Sequence, residues 1–264
     1  MKSLALLVAC VCVLLGEALP HRLDVNYTIS YGIFDGIAES ALHFERRGDR
    51  YRIRATAGLK GFAAMMAHHH REIHTSRGIV TTAGKLRPLS YTNIRLLDGF
   101  RRERRYRFDY PHRRIWLTQT IERNVTTRRF DAATFTWRRD VNKSRHTGYY
   151  RLNYFAQNDL LTLYFNAREL LRRSDGALHV LAAVGSRDGK IRLQSLRKGA
   201  SGTKLLDAKL RYFARVFIEQ DIFRSAHGEL YIGLDDALLV DEAVLKDVFL
   251  FGDLKVKRTG VQKE

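Results

Sequence analysis

LDVNYTISYGIFDGIAESALHFERRGDRYRIRATA, residues Leu23–Ala57, decides the fold. Apolar side chains fall at every second position: Leu23, Val25, Tyr27 and Ile29, then Leu42 and Phe44, then Tyr51, Ile53 and Ala55. Successive side chains of a strand point to opposite faces, so this period describes strands with one buried face rather than a helix of period 3.6. Asp35-Gly36 and Gly48-Asp49 offer residues that tolerate positive φ, where tight hairpins are expected. The three runs are therefore read as strands over Leu23–Ile33, Ile37–Glu45 and Tyr51–Ala57.

Working outward, the same rhythm predicts strands over His68–Thr75, Ser90–Leu97, Arg102–Tyr110, Arg113–Glu122 and Phe135–Val141. It resumes over Leu178–Val184, Lys190–Leu196, Arg211–Glu219, Glu229–Leu234 and Val244–Lys257. Two pieces break it. Gly58–Ala67 (GLKGFAAMMA) suits a short helix or a bulged crossing. In Asn158–Arg173 apolar residues recur at three- and four-residue steps, through Leu160, Leu163, Tyr164, Ala167, Leu170 and Leu171, with Asn158 placed to cap the start. The expectation is a mainly β fold: a strongly curved antiparallel meander or half-open β-barrel with one amphipathic helix packed in or across it.

The N-terminus reads as an export signal. Lys2 precedes the apolar run Leu4–Leu15, about twelve residues, which is too short to span a bilayer. Gly16 to Ala18 suit a signal peptidase, so residues 1–18 are expected to leave and 19–264 to form a single β-rich domain in the periplasm. Leu7-Val8-Ala9-Cys10 also resembles a lipoprotein box, but cleavage there would leave a hydrophobic run of only six residues. Cys10 and Cys12 are the chain's two cysteines, so the exported part has no thiol and must hold together by its core.

A set of phrases in a fixed order carries a family resemblance. An opening Tyr-rich strand ends in glycine (Tyr27–Gly32), followed by HHHREIHTSRG (His68–Gly78), P-x-x-Y (Pro88–Tyr91) and YRFDY (Tyr106–Tyr110). Then come NDLLTLYFN (Asn158–Asn166), GELYIGLDD (Gly228–Asp236) and DVFLFGDLKV (Asp247–Val256). This order resembles the bacterial exported family catalogued as domain of unknown function 3108, over nearly all of the mature chain. The resemblance implies an exported, β-rich, half-barrel-like fold and no activity that can be carried over.

The net charge of +18 points to anionic partners. Outside the cytoplasm nucleic acid is not expected, which leaves anionic lipid, glycolipid or acidic glycan, with peripheral membrane contact compatible with both. Basic residues concentrate in RRERRYR (Arg101–Arg107). By alternation Arg102 and Arg104 share a face with Tyr106 and Phe108, while Arg101, Arg105 and Arg107 share the other with Glu103 and Asp109 and neutralise it. The first face can grip a phosphate or sugar acid; the alternative is a solvated outer face lying over apolar neighbours. Trp116, Trp137, Tyr164 and Phe165, with Phe155, are candidates to line the same ligand site or else to be plain core.

No catalytic signature emerges. The mature chain lacks a cysteine, a G-x-S-x-G elbow and nucleotide loops, and Asp235-Asp236 reads as a hairpin turn. His68 and His70 are weak metal candidates, sharing one strand side with Glu72 and His74 but lacking an identified ligand from a neighbouring strand. No cofactor or metal is therefore expected. Three N-x-S/T sequons, at Asn26, Asn124 and Asn142, each have an acid two residues earlier, at Asp24, Glu122 and Asp140, as in bacterial N-glycosylation acceptors. The leading expectation is a non-catalytic periplasmic envelope protein that binds an amphiphilic anion in the hollow of its sheet. The alternative is an interaction protein docking an acidic glycan or protein through its basic face.

Overall fold

The computed structural model describes residues 19–131, 135–167, 177–183, 189–207, 209–218, 229–248 and 252–264. Residues 1–18, expected to be the signal, and Cys10 within them lie outside the described residues, as do 168–173 of the expected helix.

Strands β1 (Arg22–Tyr31), β2 (Phe34–Arg47) and β3 (Arg50–Leu59) lead into a short helix α1 (Gly61–Met66). Strands β4 (Arg71–Val80), β5 (Leu86–Leu97), β6 (Phe100–Asp109), β7 (Arg114–Asp131) and β8 (Thr136–Arg151) follow. After a two-residue strand β9 (Asn158–Asp159) and helix α2 (Leu160–Asn166) come β10 (Ala177–Ala183), β11 (Lys190–Leu196) and β12 (Tyr212–Ile218). The chain closes on β13 (Glu229–Leu234), β14 (Val240–Val248) and β15 (Gly252–Lys263).

All fifteen strands form one sheet, in the order β8-β7-β6-β5-β4-β3-β2-β1-β15-β14-β13-β12-β11-β10-β9. Two meanders thus run outward from a central β1–β15 pair, and among the described residues only β9–β10 is parallel. The mainly β, antiparallel expectation holds. The half-open barrel does not: the sheet is open and not strongly curled, with β8 and β9 at opposite ends. The segment between β8 and α2 crosses the apolar face instead, and one hydrophobic cluster joins Leu23, Phe44 and Ile115 of one meander, Leu160 and Phe165 of α2, and Ile191 and Leu245 of the other.

Strand alternation delivers that core. In β1 Leu23, Val25, Tyr27 and Ile29 are buried while Arg22 and Asn26 are exposed. In the described helix α2, Leu160 to Phe165 are all buried, so this part carries no exposed polar stripe. A short helix apolar on every side belongs in an interior. Its cap is Asp159 rather than Asn158: Asp159 Oδ1 accepts from Thr162 N at 2.8 Å, and Thr162 Oγ1 accepts from Asp159 N at 2.9 Å. Asn158 Oδ1 instead accepts from Asn166 Nδ2 at 2.6 Å, fastening the two ends of α2.

Three turns fall elsewhere than expected. The first hairpin turns at Gly32 and Ile33, and Gly36 (φ +61) sits inside β2 where its N–H donates to Ser30 Oγ. Val244–Lys257 is not one strand but the β14–β15 hairpin, since residues 244–248 pair back on residues 252–255. His68 and His69 adopt positive φ in the turn after α1, so β4 starts only at Arg71. Gly48-Asp49 does form the β2–β3 turn, and Asp235-Asp236 opens the turn before β14.

Candidate functional site

Register places three inward-facing rows across β2 to β8. The first runs Phe44, Ile53, Ser76, Tyr91, Tyr106, Leu117, Tyr150. Helix α2 lies over this row: Phe165 stacks on Phe44 at 5.1 Å, and Ser76 Oγ donates to Asp159 Oδ2 at 2.5 Å. The next row runs Leu42, Ala55, His74, Asn93, Arg104, Gln119, and the third Ser40, Ala57, Glu72, Arg95, Arg102, Ile121. The inner face therefore changes from apolar under α2 to polar and basic beyond it.

Glu72 is the anchor of the basic part. It is buried, and its Oε1 accepts from Arg95 Nε at 2.9 Å and lies 3.1 Å from His70 Nε2, while Oε2 lies 3.5 Å from His74 Nε2. Burial alone would raise this carboxyl, but the hydrogen bonds from His70 and His74, with the charges of His74 and Arg95, hold it far below the usual range. His74 is braced in turn by Tyr91 Oη at 2.6 Å from its Nδ1 and Asn93 Nδ2 at 3.1 Å from its Nε2.

Arg95 stands directly opposite Arg102, with Arg104 one step along the same face. Cross-strand neighbours lie roughly 5 Å apart at Cβ, and like charges so placed repel. Arg95 is committed to Glu72, and Arg104 Nε donates to Gln119 Oε1 at 2.8 Å. Arg102 Nε is buried without an acceptor among the described residues. Burial, then the charges of Arg104 and Arg95, push the Arg102 guanidinium down to about 10. Of these three guanidiniums only Arg95 forms an ion pair with Glu72 among the described residues, and a cluster of this kind suits bidentate capture of a phosphate or carboxylate. Leu97 and Phe100, both half-buried, border Arg102 on the side away from α2, and half-buried Ile121 stands opposite it on β7.

The structure gathers only part of the expected set. Arg102, Arg104, Tyr106 and Phe108 do share one face, and it is the inner one, not a solvated outer one. On the outer face Glu103 pairs with Arg101 and Arg105, the neutralisation that alternation implied. Trp116 faces out opposite Arg107, Trp137 stands on the β7–β8 hairpin beyond the sheet, and Tyr164 and Phe165 are buried in α2. Phe155 packs edge-on against Tyr110 at 5.6 Å. Of the metal candidates, His68 lies off the strand and His70 faces Glu72; no metal-holding group of three His, Cys, Asp or Glu occurs among the described residues. Asn26, Asn124 and Asn142 are exposed on β1, β7 and β8, so burial does not shield these sequons.

Arg95 was missed from sequence although its parity with Tyr91 and Asn93 was readable. Ser76 is fully buried and spent on Asp159, which excludes it as an accessible nucleophile in this conformation.

A comparison with curated proteins finds no match. A family model described as "Protein of unknown function (DUF3108)" matches residues 26–167, from β1 through α2 and including the whole basic cluster. The two closing phrases of the resemblance, Gly228–Asp236 and Asp247–Val256, fall outside that match. More than half of the sequence is covered, and the chain belongs to the DUF3108 family.

Proposed function

We propose that the chain is a non-catalytic cell-envelope protein, exported to the periplasm, that binds an anionic amphiphile on the inner face of β4–β6. Arg102 and Arg104 receive the anionic group, Arg95 and Glu72 hold the floor rigid, and Leu97, Phe100 and Ile121 receive the apolar part of the lipid or glycolipid. The face beyond α2 thus takes the place of the enclosed hollow that a barrel would provide. The single observation that carries this reading is the opposed pair Arg95 and Arg102, with Arg102 Nε buried and unpartnered. An unsatisfied buried donor beside a like charge is costly, and a bound phosphate removes both penalties at once.

The test is thermal unfolding with and without short-chain phosphatidylglycerol. The wild-type midpoint should rise with ligand, and Arg102→Leu should abolish that rise while unfolding at an equal or higher temperature without ligand. Arg107→Leu, on the outer face, should respond as wild type. A wild-type protein indifferent to the lipid, or an Arg102→Leu variant stabilised as strongly as wild type, would refute the reading.

A further inference from the structure

Apolar side chains without cover collect at one end of the sheet. By register, the ends of β1, β3 and β5 and the middle of β7 reach the same side. There the β1–β2 turn exposes Ile33 (92%) and Phe34, and α1 exposes Phe62 (73%), Met65 and Met66. The turns at the opposite end, residues 47–50, 81–85 and 111–113, present polar, charged or small residues and Pro111.

The β7–β8 hairpin runs furthest out. Beyond Asn124 it has no third strand among the described residues, and seven more registered pairs carry it about 20 Å past the sheet. At its far end Phe130 lies 6.0 Å from Phe135 and 5.3 Å from Trp137, ring to ring. Phe135 is 84% and Trp137 68% exposed. Residues 123–143 carry Arg123, Arg128, Arg129, Arg138, Arg139 and Lys143 against Asp131 and Asp140. Aromatic rings at the tip of a basic ribbon match the two layers of an anionic membrane surface: a ring-tolerant interfacial zone below and phosphates above it.

We propose that this end of the sheet, led by the β7–β8 ribbon, docks on an anionic lipid bilayer, with Phe135 and Trp137 entering the interfacial zone and the exposed Arg123, Arg128 and Lys143 meeting lipid phosphates. A second copy of the chain is a poor occupant, since each carries a net +18. The inference stands independently of the Arg102 site.

Trp116 and Trp137 are the two tryptophans, so a Trp116→Phe variant makes Trp137 the reporter. Adding phosphatidylglycerol-rich vesicles should shift its emission to the blue and shield it from an aqueous quencher; phosphatidylcholine vesicles should not. In flotation assays Phe135→Ser/Trp137→Ser, altered only at exposed positions, should lose at least about tenfold in partitioning with an unchanged far-UV spectrum. Arg102→Leu should float as wild type even if the inner-face reading fails. An unshifted Trp137 emission overturns the inference, as does undiminished flotation of the double variant. Binding to DNA or heparin with none to anionic vesicles would also overturn it.

Discussion

Replacing Asp159 with asparagine should flatten the pH dependence of stability. Asp159 is fully buried beneath the sheet, and burial raises its carboxyl from 3.8 to about 6 despite hydrogen bonds from Ser76 and Thr162. A carboxyl that holds its proton more tightly when folded stabilises the fold most below its unfolded value, and this contribution is lost as pH rises through the folded value. The full loss between those limits is about 3 kcal/mol, and the part falling between pH 5 and pH 7.5 is about 1.4 kcal/mol. Asparagine is an equally good helix cap and does not titrate. Urea unfolding of both proteins at the two pH values, followed by far-UV circular dichroism, gives the comparison. Wild type should lose about 1.4 kcal/mol more than Asp159→Asn on going to pH 7.5, other titrating groups being common to both. Parallel behaviour of the two proteins would refute the burial argument and with it the placement of α2 on the sheet.

Glu72 works in the opposite direction. Its folded carboxyl lies below its unfolded value, so the stability it contributes is present above about pH 4.5 and is lost progressively as pH falls from there toward the folded value. Glu72→Gln should cost about 3 kcal/mol at pH 7, read from the urea midpoint, because it leaves Arg95 buried without its counter-charge. At Gly78 an added Cβ would lie 2.0 Å from Arg87 O and 2.8 Å from Tyr51 Oη, so Gly78→Ala should cost at least about 2 kcal/mol in the same assay. Phe165→Ala, beneath Phe44, should lower stability by about 3 kcal/mol, while Phe62→Ala on exposed α1 should leave it within about 0.5 kcal/mol.

Much of the strand content was legible because burial of one face writes itself as alternation. Leu23, Val25, Tyr27 and Ile29 announced β1, and the parity of Arg102, Arg104, Tyr106 and Phe108 correctly put these four together. Turns were read less well. Asp35-Gly36 has suitable turn chemistry, yet the chain turns at Gly32-Ile33 and absorbs Gly36 as an irregularity, since local propensity tolerates both sites and register decides between them. The β14–β15 hairpin was missed because apolar residues on both sides of the turn hide the boundary.

The candidate site was legible only along each strand. Sequence alone put His68, His70, Glu72 and His74 on one side of a strand, of which Glu72 and His74 lie together on β4, and Arg102 and Arg104 on one side of β6, because alternation acts between near neighbours in the chain. That Arg95 faces Arg102 across the β5–β6 hairpin and is held by Glu72, more than twenty residues earlier in the chain, depends on the register of both strand pairs. The same holds for Asp159, the neighbour of the residue expected as the helix cap, which meets Ser76 eighty-three positions away only after the crossing segment has settled on the sheet. The sequence by itself determined which residues face together; tertiary structure decided which faces meet, because pairing register and the path of a crossing chain are properties of distant contacts that no local pattern encodes.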